Sequence, residues 1–376
     1  MQYSFRLAEI LGHVPDPRKR PGTVKAIVEY TGLDRHQVSA LLKNEVKYIP
    51  LKALSRLCDY LVEHGYATAD QLPGALFAVE AENFWEMLAR RQRIEICCGI
   101  RRFQDDGDGP HGAWLVASDS LLIGELLNGI SSLGGTSKMN EAAPIPHPES
   151  LQQSLVWSPS EQDQAEVFRR SAEVYDAFTQ FSSDRGLIGL GSVKSNPVVE
   201  HIMATTFNCE PFKDQSQVEA GTARGCPIML RYRDDDLKPE SCMAGTRLSA
   251  SEFPKAPGIM FEKQDGSWDI CKWNEKTEDA AMVFYIHREA LGRMEMVIGG
   301  FSGRATRMLA RTLATRGEDF WPPVYSGHGV QVGAFVLQFS FSAPKQQRHD
   351  ILLTELASNV KITPLHHDVI ARRMEK

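Results

Sequence analysis

Residues 24–44, VKAIVEYTGLDRHQVSALLKN, constrain the fold of this chain more than any other stretch. Val24, Ile27 and Val28 recur at helical spacing and predict a short first helix with one buried face. Gly32 follows, where a residue without a Cβ atom tolerates the positive φ of a tight turn. A second helical pattern begins directly after it, so we expect two short helices joined by a turn.

The second helix has both a start signal and a two-sided pattern. Asp34 is a suitable N-cap, and Gln37 three residues later completes a capping-box pattern. Its apolar face consists of Val38, Leu41 and Leu42. The polar side chains that we assign to its outer face are Arg35, His36, Gln37, Ser39 and Lys43.

A third amphipathic helix, LKALSRLCDYLVEHG, follows Pro50. With the two helices before it, this segment resembles the Cro/λ-repressor type of helix-turn-helix domain over residues 22–66. The residues that carry the resemblance are Ile27, Thr31, Gly32, Leu33, Val38 and Leu41. Val28 departs from the family, which usually has a small residue there. The resemblance implies that the second helix reads the major groove of double-stranded DNA with the five outer-face side chains, and that the protein binds as a homodimer or higher homo-oligomer.

The charge distribution favours DNA binding over the alternative, a three-helix bundle that contacts other proteins. Residues 15–65 contain nine Lys or Arg and six Asp or Glu, a net +3, although the whole chain carries −6. The basic run 18–20 is open to two interpretations, a solvated linker or an arm that touches phosphate or the minor groove.

The second half of the chain alternates predicted strands and helices, which indicates an α/β sheet. Two strand–loop–helix units stand out, GLGSVKSNP at 189–197 and GGFSGRAT at 299–306. Backbone N–H groups at such helix starts can hold an anion. The predicted ligand-binding residues are Ser192, Lys194, Asn196, Ser302, Gly303, Arg304 and Thr306. The alternative is that the glycines form turns and the Ser and Asn residues cap helices.

We therefore predict an N-terminal all-α helix-turn-helix domain followed by an α/β domain with a Rossmann-like, mixed sheet. The expected boundaries are a DNA-binding domain at 1–85, a connecting segment at 86–163 that could belong to the sheet, and a sensor or assembly domain at 164–376. A long loop or linker is expected at 131–163, which is rich in Ser, Gly, Pro and Asn.

Other sequence features give little support to an enzyme or a metal centre. GFSGR at 300–304 matches the GxSxG nucleophile elbow only as far as the serine. The acidic run 234–236 is typical of a solvated turn. Seven cysteines, an odd number without a CxxC pair, predict reduced thiols instead of disulfides or structural zinc. We expect no cofactor and no bound metal.

The leading hypothesis is a cytoplasmic transcriptional regulator whose α/β domain senses a small anionic ligand, such as a nucleotide or sugar phosphate, or mediates assembly. No run approaches 18 apolar residues, so no membrane span is expected. One alternative is an α/β enzyme that acts on a nucleotide or phosphorylated substrate, with the N-terminal helices as a docking module. The other is an assembly protein without a pocket.

Overall fold

The computed structural model describes most of the chain. The described residues are 3–11, 23–43, 45–67, 69, 72–73, 76–79, 81–91, 93–102, 112–132, 151–161, 163–180, 185–213, 225–243, 255–288, 293–327, 329–341 and 359–374. The basic run 18–20 and most of the predicted loop at 131–163 lie outside these residues.

The chain divides into two compact units. The first comprises residues 1–82 with the short stretches 287–293 and 326–331. The second comprises 83–286, 294–325 and 332–376. Residues 86–163, expected as a connecting segment, supply three strands and a helix to the second unit.

The first unit is mainly helical. Its elements are β1 (Tyr3–Phe5), α1 (Leu7–Ile10), α2 (Thr23–Thr31), α3 (Arg35–Leu42), α4 (Leu51–Glu63) and β2 (Phe77–Val79). Strands β1 and β2 pair antiparallel. The helices bury a common apolar core that includes Ile27, Val38, Leu41, Leu57 and Leu61. These are the positions that helical periodicity assigned to the inner faces, so the predicted three-helix arrangement is confirmed.

The second unit is an α/β structure. Its helices are α5 (Phe84–Ala89), α6 (Ala117–Ser132), α7 (Gln164–Thr179), α8 (Val198–Phe207), α9 (Gly303–Arg316) and α10 (His367–Met374), with a 3-10 turn at Gly317–Phe320. Its strands are β3 (Arg93–Arg102), β4 (Ala113–Leu115), β5 (Leu151–Trp157), β6 (Arg185–Leu190), β7 (Ile228–Arg231), β8 (Gly258–Glu262), β9 (Trp268–Lys272), β10 (Glu278–Arg288), β11 (Arg293–Gly300), β12 (Tyr325–Gly327), β13 (Val330–Ser340) and β14 (Asn359–Pro364).

Nine of these strands form one mixed sheet in the order β12-β13-β10-β11-β6-β3-β4, with β14 paired to β13 and β5 paired to β3. Strand β3 is parallel to β5 and β6 and antiparallel to β4. Its middle residues are buried, as expected for a strand with neighbours on both sides. The mixed α/β sheet predicted from the sequence is confirmed.

A smaller antiparallel sheet consists of β7, β8 and β9. Strands β8 and β9 form a hairpin around 264–266. Strand β5 was not expected, because it lies inside the stretch predicted as a loop. Its sequence, LQQSLVW, is polar in the middle and half exposed, so it lacks the apolar run that marks a buried strand.

None of the helices in the described part of the chain combines the length and apolarity that a bilayer span requires.

Candidate functional site

The turn between α2 and α3 is fixed by backbone and side-chain hydrogen bonds. Gly32 has a φ of +75°, and its N–H donates to the carbonyl of Val28 at 3.0 Å. The hydroxyl of Thr31 donates to the carbonyl of Ile27 at 2.6 Å and accepts from the N–H of Leu33 at 3.3 Å. Leu33 is buried in the helical core. The turn therefore sets the angle at which α3 leaves α2.

A complete capping box starts α3. The side chain of Asp34 accepts from the N–H of Gln37 at 2.8 Å, and the N–H of Asp34 donates to Gln37 Oε1 at 3.1 Å. Each side chain thus satisfies a backbone donor that a helix start leaves unpaired. The predicted capping pattern is present in the structure.

The five α3 side chains that are predicted to read DNA differ in their solvent exposure. Arg35, His36 and Lys43 are exposed, whereas Gln37 and Ser39 are half-buried. Lys43 lies 4.0 Å from Glu45 across a solvent-exposed ion pair, an interaction that is weak in water. These exposed cations are available to a polyanion.

The capping box changes the role of Gln37. A bidentate contact with adenine uses both the amide oxygen and the amide nitrogen of a glutamine. In this structure the oxygen already accepts a hydrogen bond from Asp34 N. A base contact by Gln37 would therefore use its amide nitrogen or the remaining lone pair of this oxygen, unless the cap opens.

Sequence reasoning assigned no DNA contact to the segment that runs from α3 into the first turn of α4. The structure exposes Lys47, Tyr48 and Lys52 there, with Tyr48 at 74% of its full accessibility. A single exposed aromatic side chain is common on protein surfaces and does not by itself mark a binding site. In the sequence, these exposed residues are marked only by the run KYIPLK at 47–52.

The two glycine loops of the second unit converge, because β6 and β11 are neighbours in the sheet. Gly191 N donates to the carbonyl of Ile298 at 2.9 Å. Lys194 Nζ donates to the carbonyl of Phe301 at 3.3 Å and lies over the Phe301 ring at 4.5 Å. The sequence predicted each loop separately, and the sheet order brings them together.

The polar side chains of the first loop are engaged within the protein. Asn196 is fully buried; its amide donates to the carbonyls of Cys97 at 2.9 Å and Leu190 at 3.0 Å, and its oxygen accepts from Val198 N at 3.1 Å. Ser192 is also buried, and its carbonyl accepts from Asn196 N at 2.8 Å. These contacts shape the loop and start α8.

Lys194 is the charged group of this loop. It forms a 3.0 Å ion pair with Asp236, and its side chain is only 15% exposed. Burial lowers the pKa of Lys194, and the Asp236 carboxylate opposes that shift. Asp236 also accepts from Arg233 Nε at 2.9 Å, so one carboxylate joins the loop lysine to a neighbouring arginine.

The second loop already holds a carboxylate at the start of α9. Ser302 is the N-cap of α9, accepting from Arg304 N at 3.1 Å, and its hydroxyl also donates to the buried carboxyl of Asp279. Arg304 Nε lies 3.5 Å from the same carboxyl. The pKa of Asp279 is raised mainly by burial, while Ser302 and Arg304 favour its charged form.

The remaining residues of this loop complete its internal bonding. Thr306 is buried; its hydroxyl accepts from Gly300 N at 3.2 Å and donates to the carbonyl of Ser302 at 3.2 Å. The Arg304 guanidinium also donates to backbone carbonyls in 274–278 and stacks on Phe341 at 4.0 Å. Gly303 is exposed. The seven predicted ligand residues thus form one neighbourhood, in which Asp236 and Asp279 neutralise the two cations.

An open cleft of about 370 Å³ lies beside this neighbourhood. Its basic lining residues are Arg231, Arg233, Lys238 and Lys255. Arg233 stacks on Trp273 at 4.9 Å, and Asp234 and Asp235 also line the cleft. The cleft is therefore lined by four cationic side chains, two carboxylates and two aromatic residues, Tyr232 and Trp273.

Three cysteines of the second unit also meet. The sulfur atoms of Cys209, Cys226 and Cys242 all lie within 4.8 Å of one another, and those of Cys226 and Cys242 are 3.5 Å apart. Burial raises the pKa of Cys226 and Cys242 well above the usual thiol value. The pKa of Cys209 is lowered, chiefly because the other two thiols donate hydrogen bonds to its sulfur.

Comparison with known proteins identifies a segment of the first unit and nothing in the second. A family model described as the Cro/C1-type HTH DNA-binding domain matches residues 18–62. No curated protein and no solved structure matches the chain significantly. The resemblance seen in the sequence is therefore confirmed, and α2, the turn and α3 form the helix-turn-helix of a DNA-binding domain.

Proposed function

We propose that this protein is a transcriptional regulator that binds operator DNA through α3. The observation that carries the proposal is the match of 18–62 to a DNA-binding domain whose second helix has exposed Arg35 at its start and exposed Lys43 at its C-cap. The net +3 charge of residues 15–65 within a chain of −6 adds to the attraction for phosphate.

In this proposal the α3 residues have different tasks. Arg35, in the first turn, pairs with a guanine edge, because its guanidinium can donate two parallel hydrogen bonds there. Lys43, at the C-terminal end, meets a phosphate and adds affinity without sequence preference. His36 and Ser39 make further groove contacts, and Gln37 holds the helix start and offers its amide nitrogen.

The proposed DNA-binding form is a homodimer. Two copies of α3 related by a two-fold axis would be separated by about 34 Å, so that both enter the major groove on one side of the duplex. An operator for this protein would then consist of two inverted half-sites.

We further propose that the second unit senses a small anionic ligand, with oligomerisation as its other possible role. The basic cleft favours the sensing role, since Arg231, Arg233, Lys238 and Lys255 surround a space of the size of a small ligand. The loop residues would then support the cleft, because Lys194 holds Asp236, which in turn holds Arg233. A ligand there changes DNA binding only if it has different affinities for two conformations.

The DNA-binding proposal is tested by a mobility shift with the DNA that flanks the protein's own gene. We expect wild type to shift this DNA, and Arg35→Ala to weaken binding by about 10-fold or more because it removes a base contact. Arg170→Ala is the matched control, because Arg170 is an exposed arginine of α7 in the other unit. Equal binding by wild type and Arg35→Ala would assign DNA recognition to another surface.

The sensing proposal is tested by thermal-shift screening against nucleotides and sugar phosphates. A ligand that raises the melting temperature of wild type but not of Lys238→Ala places the site in the cleft. A shift abolished by Arg304→Ala and kept by Lys238→Ala moves the site to the loops. Turnover of any compound in the panel would instead favour the enzyme alternative, and a large particle size without any ligand shift would favour assembly.

A further inference from the structure

The three cysteines have no part in DNA binding or in the basic cleft, yet the fold assembles them from separate segments. Cys209 follows α8, Cys226 precedes β7 and Cys242 follows β7. Their spacings in the sequence, 17 and 16 residues, match no metal-binding motif, so no local pattern marks them as a group.

We propose that Cys209, Cys226 and Cys242 bind a single thiophilic metal ion, with Zn²⁺ as the best-fitting ion. Thiolates are soft ligands that select such ions, whereas Mg²⁺ and Ca²⁺ prefer oxygen. The site provides three protein ligands, so an exchangeable ligand such as water would complete a tetrahedral coordination, and Cys209 is the one ligand of the three that is not fully buried.

The distances fit a shared ion better than a disulfide. Two sulfurs bound at about 2.3 Å to one tetrahedral zinc lie roughly 3.8 Å apart. The sulfurs of Cys226 and Cys242 are separated by 3.5 Å, and every sulfur pair lies within 4.8 Å. A disulfide requires about 2.05 Å, so the sulfurs of Cys226 and Cys242 would have to move closer by more than an ångström.

A buried carboxylate holds the cysteine-bearing segments in place. Glu200, on α8, accepts from Cys242 N at 2.6 Å, from Phe212 N at 2.7 Å and from the hydroxyl of Ser241. Phe212 has a positive φ of 59°, a conformation that non-glycine residues rarely adopt, and its N–H points to this carboxylate. The segments that follow Cys209 and surround Cys242 are therefore fixed by the same group.

The charge around the cluster also suits a thiolate–metal complex. Three thiolates and one Zn²⁺ carry a net charge of −1, and the positive charge of Arg373 acts on Cys209. Arg373 is itself anchored by Glu262, with Nε 2.6 Å from a carboxylate oxygen. The bound ion would connect Cys209, at the start of the segment 209–213, to Cys226 and Cys242, which lie near the two ends of the segment 225–243.

The test is a titration of the full-length, reduced, metal-free protein with Co²⁺ under anaerobic conditions. We expect one equivalent to bind with the near-ultraviolet absorption of thiolate-to-cobalt charge transfer, and one equivalent of Zn²⁺ to remove that absorption. Because this readout needs no DNA, it is independent of the proposed regulatory function.

Cys209→Ser is the informative variant, since Cys209 is the least buried of the three cysteines. It should lose the charge-transfer band while keeping the wild-type circular dichroism spectrum. Cys271→Ser is the matched control, because Cys271 is a buried cysteine outside the cluster, and it should keep the band. Absence of the band in wild type, an unchanged band in Cys209→Ser, or a Cys226–Cys242 disulfide in protein that binds no metal would overturn the proposal.

Discussion

At the scale of single residues, Asp34 and Gln37 are the pair on which the start of α3 depends. Their reciprocal hydrogen bonds start the helix that carries the proposed DNA-reading face. A substitution at either position therefore has two possible effects, on the helix and on DNA. Stability measurements must accompany every DNA-binding measurement on α3.

Asp34→Ala should destabilise the start of α3 by about 1 kcal/mol, because the first turn loses its side-chain acceptor. Hydrogen–deuterium exchange of α3 amides, measured in the full chain, should become faster by roughly 5-fold. Asp34→Asn is the control and should exchange at the wild-type rate, because asparagine is an equally good N-cap. Unchanged exchange in Asp34→Ala would contradict the capping role.

His201 makes the second unit sensitive to acid. Its ring lies 3.1 Å from the hydroxyl of Ser171 and stacks on Tyr175 at a centroid distance of 5.6 Å. Burial lowers the pKa of His201 to about 4, while Asp176 acts in the opposite direction. The folded state therefore holds a neutral histidine at pH values where the unfolded chain is protonated.

We expect the unfolding free energy to fall as the pH decreases from 6.5 towards 4, by about 2 kcal/mol at pH 5 from His201 alone. Denaturant unfolding of wild type and His201→Gln at pH 7.5 and pH 5 measures this effect. The glutamine variant should lose less stability between the two pH values. A His201 pKa near 6.5 in an NMR titration would disprove the explanation.

At the scale of elements, the backbone of β3 closely approaches the loop before α8. A Cβ atom built on Gly99 would overlap the carbonyl oxygen of Ser195. Only glycine lets the strand and the loop backbone approach this closely. The position of the whole 192–197 loop therefore depends on a residue almost 100 positions earlier.

Gly99→Ala should lower the unfolding free energy by about 1–3 kcal/mol, because backbone atoms must shift to admit the methyl group. Gly124→Ala is the matched control: Gly124 lies on the exposed face of α6, with no atom near the added Cβ. It should be neutral or stabilising by up to ~1 kcal/mol, since alanine is the better helix former. If both substitutions changed the unfolding free energy by the same amount, the close approach of Gly99 to Ser195 would carry no penalty for an added Cβ atom.

The elements that could be predicted from the sequence are those that carry a recognisable pattern within their own residues. Apolar spacing located α2, α3 and α4, and Asp34 with Gln37 marked the start of α3. Strand β5 could not be found this way, because its polar centre is explained only by pairing with β3. The meeting of the two glycine loops and of the three cysteines depends on long-range contacts that no local pattern records.

The same limit applies within the candidate sites. Sequence reasoning found Lys194 and Arg304 as cations but could not see that Asp236 and Asp279 neutralise them. The four basic residues of the cleft are spread from 231 to 255 and become neighbours only through the fold. The α3 face was easier to predict, because one helix holds all of its residues.

At the scale of the whole molecule, charge is unevenly divided. Residues 15–65 carry +3, so the rest of the chain carries −9. This distribution favours the approach of DNA phosphates to residues 15–65 over the rest of the chain. Affinity for DNA should therefore fall as salt rises, and removal of any side chain that binds a phosphate should weaken that salt dependence.

The most direct test of the central claim is an anisotropy titration of operator-containing DNA with wild type, Arg35→Ala and Lys43→Ala at several salt concentrations. We predict that Arg35→Ala loses about 10-fold or more in affinity for the operator and little for unrelated DNA, because it removes a base contact. Lys43→Ala should weaken binding to both and reduce the salt slope by roughly one. Identical curves for wild type and both variants would contradict recognition of DNA by α3.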